Sequence, residues 1–415
     1  MTLWRNPDFM KLWTGQTVSE LGSRITRDGL PLAAVIVLNV GPFEMGLLRA
    51  IGGAAVLLLG LYAGVWVDRL RRRPMMILSD LGRALLLAAI PIAALLHRLN
   101  MPLLYVVAAL TGVLTVFFDV AYQTYLPSLI ERENVLEGNS KLATSFSIAE
   151  IAGPGLTGVL VQALTAPFAI LIDAVSFLFS ALTIGWIRKP EVRPEHVRSE
   201  DPLHEAMAGM KFIWSHSILR ALAGYAACAF FFFGIFGSVY VVYAIRDLKM
   251  GPVLLQLAIM CGGVAALFGS AIARHVSARI GLGRTFIVTA IILAVGTFLI
   301  PLAHGSVKVA TAYMMLSQFL GDASMVIYNV HEISLRQTVA PENVLGRVNA
   351  SMRLLTHGVL PLGSLAGALI AVPLGIRPTL WIAACGLFLS TVWLIPVKQV
   401  SRPVRAMLSE RCLNL

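Results

Sequence analysis

The sequence predicts an all-α polytopic membrane protein with twelve transmembrane helices in two six-helix bundles related by a parallel repeat. Three observations lead there. Apolar residues make up 57% of the chain against 13% charged, and the mean hydropathy is +0.79, beyond what a water-facing surface allows. Turn signals cut the chain into twelve apolar stretches, each near the roughly 20 residues that a bilayer core requires of a helix. A polar phrase, Glu133-Asn134-Val135-Leu136, returns half a chain later as Glu342-Asn343-Val344-Leu345.

The spans run over 9–39, 44–67, 75–97, 101–126, 139–164 and 167–187, then 217–245, 252–277, 284–303, 307–335, 347–373 and 377–397. Stretches such as PLLYVVAALTGVLTVFF in span 4 are apolar all round, unlike the alternating strands of a membrane barrel. Span 1 carries Arg24, Arg27 and Asp28 and lacks a small-residue cleavage site, so it is expected to stay as a helix. The domain plan is therefore a bundle over 1–187, a linker over 188–216, a second bundle over 217–397 and a tail over 398–415. The linker has Leu203, Met207, Met210 and Trp214 at helical spacing, which predicts an amphipathic helix on the inner membrane surface. It serves as a tether that lets the bundles rock or as a regulatory element.

Most of the 33 lysines and arginines fall at the amino end, in the even-to-odd loops and in the tail, against Arg98, Arg246, Lys249, Lys308 and Arg377 on the other side. By the positive-inside rule both termini face the cytoplasm of a plasma (inner) membrane. The net charge of +11 reads as topology with attraction to anionic membrane lipid; its scatter over separate segments argues against a nucleic-acid partner. Cys228, Cys261, Cys385 and Cys412 show no paired spacing for disulfides or metal.

The repeated phrase falls in the loops after spans 4 and 10, with six spans between. Both copies therefore lie on one side of the membrane and the repeat is parallel. At the same offset Leu126 meets Leu335, Gly158 meets Gly367 and Leu160 meets Leu369, with Pro154 and Pro361 nearly in register. A parallel six-helix repeat implies a pseudo-twofold along the membrane normal and a central cavity near the midplane.

Charges within spans are the sharpest functional signal, since each costs about 2.5–3.5 kcal/mol at a helix centre. Span 1 holds Arg24 and Asp28, four apart and able to pair, with Arg27 pointing elsewhere. Span 4 has Asp119 and Gln123, span 5 Glu150, span 6 Asp173, span 10 Asp322, Asn329 and Glu332, and span 11 Arg353 and His357. A carboxylate in a protein-lined, partly wet site can load and release a proton. Asp28 and Glu150 are the foremost proton-coupling candidates and Asp322 the third; each could instead be a permanently paired residue that holds helices together. Asp119 and Glu332, nearer helix ends, read as gate residues paired with Arg336 or Arg353. His357 could titrate near neutrality or serve as a packing residue.

Gly60 with Gly64 and Gly363 with Gly367 form small-xxx-small pairs that allow close helix contact. Pro154 and Pro361 should bend spans 5 and 11. For Phe230 to Phe233, Phe236, Tyr240 and Tyr243 lipid contact is the default, an apolar pocket the alternative, and the tyrosine hydroxyls want partners.

Two segments carry a family resemblance. GLYAGVWVDRLRRRP, with Gly64, Asp68, Arg69, Arg71, Arg72 and Arg73, resembles the signature loop of the major facilitator superfamily. FFDVAYQTYLPSLI and SLRQTVAPENVLGRVNASMRLLTHGVLPLGSLAG resemble its drug:proton antiporter branch, which includes macrolide-efflux and enterobactin-exporter-like proteins. The resemblance implies the major facilitator fold and alternating access driven by an ion gradient, usually export with proton import. The matching loop after span 8, GSAIARHVSARIGLGR, lacks the acidic residue; AGPGLTG keeps Gly153, Pro154 and Gly158 but has Ala149 where the family often has glycine. Physically, Asp68 can cap a neighbouring helix N-terminus while the arginines pin the cytoplasmic side, together latching the outward-open state or merely fixing topology. Asp80 and Arg83, one turn apart, would extend this network.

No G-x-x-x-x-G-K-[ST], H-E-x-x-H or G-x-S-x-G stretch occurs, so neither an enzyme nor direct use of ATP is expected, and no cofactor. The sequence reading is a monomeric secondary transporter that exports small amphiphilic molecules, drug or siderophore, in exchange for protons. A lipid or lysolipid translocator and a non-transporting sensor or scaffold are the alternatives.

Overall fold

The structure, a computed structural model, describes residues 3–59, 70–191 and 202–399. Membrane helices are labelled in chain order: α1 (Pro7–Leu32), α2 (Pro42–Leu59), α3 (Arg72–Leu95), α4 (Met101–Leu129), α5 (Val135–Leu164), α6 (Ala166–Gly185), α7 (Ser217–Val242), α8 (Pro252–Ile280), α9 (Leu282–Leu302), α10 (Val307–Val339), α11 (Glu342–Arg353 continued by Leu360–Leu374) and α12 (Ile376–Ser390). Ten helical stretches among the described residues are long and apolar enough to cross a membrane. α1 and α10, 26 and 33 residues long, are long enough but too polar to meet that measure. They carry Arg24, Arg27, Asp28, Asp322, Asn329 and Glu332, and they complete the twelve.

Helix starts follow from local chemistry. The Asn6 side chain accepts from the N–H groups of Asp8 and Phe9 at 3.1 Å each, Asn100 accepts from Leu103 at 3.0 Å, and Ser306 caps α10; each satisfies donors that a helix start leaves orphaned. The chain divides into two compact units, Met1–Pro202 with Gly251–Met260, and Leu203–Met250 with Cys261–Leu415. Within the first, α1 packs on α5 and α6, and α3 on α4 and α6; within the second, α7 packs on α11 and α12, and α9 on α10 and α12.

The repeat extends to backbone detail. α1 ends in a π turn over Ala33–Val37 and α7 in one over Tyr243–Asp247, and each is followed by a left-handed residue, Asn39 (φ 52°) and Lys249 (φ 55°). Left-handed Thr165 and Gly375 likewise separate α5 from α6 and α11 from α12. The repeated phrase itself is placed differently from expectation. Arg132–Asn134 form a 3-10 turn that runs straight into α5, and Glu342 opens α11 with Pro341 before it. Both copies are helix starts rather than free loops: Val135 and Leu136 are already in α5, and residues 342–345 are already in α11.

Apolar side chains cover the outside of both units: Leu78, Leu85 and Leu389 are 67%, 76% and 65% exposed. Such a surface needs lipid to cover it, and the protein is an integral membrane protein. The linker helix, Pro202–Ser215, belongs to the second unit. Ile213 is buried with Val348 and Met352, while Met207 and Trp214 stay exposed.

Candidate functional site

In the first unit α1 is the polar helix, and its turn spacing stacks Arg24 and Asp28 on one stripe. Arg24 Nη2 stands 3.5 Å from Asp28 Oδ2, and Arg24 Nη1 stands 3.5 Å from Glu150 Oε2 on α5. Arg27, expected to point elsewhere, points to the same place and donates to Glu150 Oε1 at 2.6 Å. Asp28 and Glu150 thus meet at a shared arginine. Gly153 makes this possible: a Cβ there would lie 2.8 Å from Arg24 Cβ and overlap its Cγ. Pro154 and Gly158 are buried further along α5, which runs unbroken through the proline.

Two neighbours escaped the sequence reading. Glu20 has Arg27, Asp119, Glu150 and Arg83 as charged neighbours, and Arg49 of α2 faces Asp28 electrostatically. Glu20 was legible in principle, since it precedes Arg24 by four residues and Arg27 by seven and so extends their stripe. Arg49 had no such signal, because its neighbour lies on another helix. Asp119 also neighbours Tyr122, and Gln123 is exposed.

Gly60, Gly64, Asp68 and Arg69 lie outside the described residues. Among the rest of the signature loop, Arg71 is exposed, while Arg72 Nη1 donates to the Thr124 carbonyl at 3.2 Å and Arg73 Nε to that of Ile184 at 3.1 Å. These two arginines tie the start of α3 to the ends of α4 and α6. The carboxylate of Glu191 accepts from the N–H groups of Arg72 (2.6 Å) and Arg73 (3.2 Å). Asp80 and Arg83, one turn apart on α3 as expected, form an ion pair in the core of the first unit, 0% and 4% exposed. The Arg83 guanidinium lies over Phe118 at 4.3 Å and Phe177 at 4.1 Å. Asp173, also buried, accepts from Ser176 Oγ at 3.0 Å.

In the second unit Glu332 pairs with Arg336 at 3.3 Å, one turn apart on α10. The pair lines a cavity of about 340 Å³, whose inner wall is aromatic: Tyr225, Phe230, Phe233 and Tyr328. Lipid contact was the default expectation for Phe230 and Phe233; α7 instead turns them inward. Asn329, Arg353 and His357 also line the cavity, and all of them are exposed. α11 switches to a π turn over Leu354–Gly358, just before Pro361, whose missing N–H suits a wider turn. Thr356 Oγ1 lies 2.9 Å from His357 Nδ1 in that turn. Tyr243 donates to the Ala303 carbonyl at 3.1 Å. The Asp322 carboxylate lies against α8 at Gly262, where a Cβ would overlap it.

Two compact units of apolar helices with charged pairs buried among them belong to an integral membrane protein. The chain belongs to the Major Facilitator Superfamily, whose sequence profile matches residues 12–360, and is a transporter rather than an enzyme. It is 29% identical over 388 residues to the multidrug efflux pump Tap of Mycolicibacterium fortuitum, covering 90% of this chain and 91% of the relative. It is 21% identical over 347 residues to the enterobactin exporter EntS of Salmonella choleraesuis, covering 83% and 81%. The structure of a bacterial homologue of the iron transporter ferroportin superposes with a TM-score of 0.73 at 18% identity, covering 96% of this chain and 100% of that one. These likenesses agree with the fold and the efflux-type resemblance read from the sequence.

Proposed function

We propose that this transporter exports amphiphilic small molecules, of the drug or siderophore kind, in exchange for protons, with both termini cytoplasmic in a plasma (inner) membrane. One observation carries the reading: Asp28 and Glu150 share Arg24, and Glu150 also holds Arg27 at 2.6 Å. Two carboxylates competing for two guanidiniums inside the membrane make an arrangement that one proton can rewrite. A proton on Glu150 releases Arg27 and leaves Arg24 to Asp28; its loss restores the bridge between α1 and α5. A ligand that favours one pairing biases the other by the same free energy. The relatives named for multidrug and enterobactin export support the direction and the amphiphilic substrate class.

The test is pH-gradient-driven transport in proteoliposomes. Glu150→Gln and Asp28→Asn should each reduce gradient-driven flux at least about 10-fold, the size expected for losing one charge-assisted contact, with insertion unchanged. Full coupling in both variants would remove the proposal.

A further inference from the structure

The cavity of the second unit has a chemistry of its own. Its inner wall is a cluster of rings, with Tyr225 and Tyr328 centroids 4.9 Å apart and Phe230 and Phe233 centroids 6.3 Å apart. Met325 and Met352 add polarisable sulfur. Within that wall, Tyr328 is 6% exposed, yet its Oη has no hydrogen-bond partner among the described residues, whereas the buried Glu332 beside it is held by Arg336. A buried hydroxyl without a partner in a lined cavity is a group that a ligand can complete.

Charge decides which ligand. Glu332 is neutralised by Arg336. Arg353 also lines the cavity, is exposed, and its guanidinium makes no ion pair among the described residues. The lining therefore carries one surplus positive charge, which repels a cation and attracts an anion. The volume of about 340 Å³ sits at the low end for small-molecule pockets, which run from about 300 to 1,000 Å³, and suits one or two fused rings.

We infer that this cavity binds a planar aromatic carboxylate, rings against Tyr225, Phe230, Phe233 and Tyr328 and carboxylate on Arg353. The inference rests on the transport reading above and names a substrate class for it. The site lies on α7, α10 and α11 of one unit, and α10 and α11 are also where the sequence placed Asn329, Glu332, Arg353 and His357.

Binding is measured by calorimetry on the purified full-length transporter in detergent, with 2-naphthoate as probe. Wild type should bind one equivalent; Arg353→Gln should weaken binding about 10-fold or more, with its melting temperature unchanged, and Arg353→Lys should recover most of the affinity. 2-Naphthylmethylamine, the same rings with a cation, should bind at least about 10-fold more weakly. Equal binding of the amine, equal competition by oleate, or unchanged affinity in Arg353→Gln would overturn the inference. Proton-driven amphiphile flux without 2-naphthoate binding would sink the pocket and leave the transport reading; binding with the predicted Arg353 dependence but no flux of any amphiphile would do the reverse.

Discussion

The contact between α1 and α5 in the first unit and that between α7 and α11 in the second are the same contact in the repeat, filled by opposite means. In the first, Gly153 leaves a niche that the stem of Arg24 occupies, so a charged side chain lies between the helices. In the second, no arginine intervenes: a Cβ on Gly363 would overlap the Phe231 carbonyl and lie 3.1 Å from Gly234 Cα, so the backbones themselves touch. The contrast recurs deeper. Asp80 pairs with Arg83, whose guanidinium lies over Phe118 and Phe177, whereas the offset that aligns Asn39 with Lys249 brings their places to Ala290 and Leu293, both buried, with Ala290 in an apolar core that includes Tyr328 and Leu387. One helical plan thus accepts either a charged interior or an apolar one. The units differ in side chains rather than in architecture, with the shared-arginine ion pairs in the first and the aromatic cavity in the second.

Three substitutions probe that contrast. The largest effect belongs to Arg83→Met, which strands a fully buried Asp80 without its partner. Breaking a buried pair from one side costs about 3–5 kcal/mol, and thermal melting in detergent should show it as the deepest loss of the set. A melting temperature like wild type would mean that the charged interior of the first unit is incidental. Gly363→Ala comes next, because the added methyl must displace backbone. Overpacking of about 1–3 kcal/mol should lower the melting temperature of the second unit's variant, and no loss would mean that the α7–α11 approach is looser than the Gly153 niche.

The smallest effect concerns Asp8, which accepts from Lys11 Nζ at 2.8 Å and from the N–H groups of Arg188 (3.1 Å) and Lys189 (3.0 Å). Burial pushes this carboxyl up, but the hydrogen bonds from Lys11, Arg188 and Lys189 outweigh it and hold it below the ordinary aspartate value. A depressed folded value stabilises the fold above the unfolded value, and that contribution is lost as pH falls through the folded one. Asp8→Asn should therefore melt a few degrees lower at pH 7, as expected for about 1 kcal/mol, and the gap to wild type should narrow below about pH 4. A gap that persists in acid would assign the effect to packing instead of charge.

The outline of the site was readable because a charge in an apolar span has few cheap solutions: Arg24 with Asp28 follows from four-residue spacing, while Glu332 had two possible partners, Arg336 and Arg353, of which the structure shows Arg336. Arg27 with Glu150 was not readable, because the partner sits on another helix and spacing says nothing across a helix contact. Phe230 and Phe233 were equally opaque. A run of four phenylalanines covers every side of a helix, and only the position of α10 and α11 decides which rings face inward.

The sequence by itself determined the membrane setting, the number and order of the helices, the parallel repeat and which residues were too costly to be idle. Those are one-dimensional facts: hydropathy over about 20 residues, turn chemistry, and periodicity along a single helix. Only the tertiary structure decided that Asp28 and Glu150 contend for one arginine, that Arg83 lies between two rings, and that Tyr328 and Glu332 line a cavity. Each depends on the rotation of one helix against another, which is set by the packing of whole faces and by small residues such as Gly153, and not by any local run of the chain.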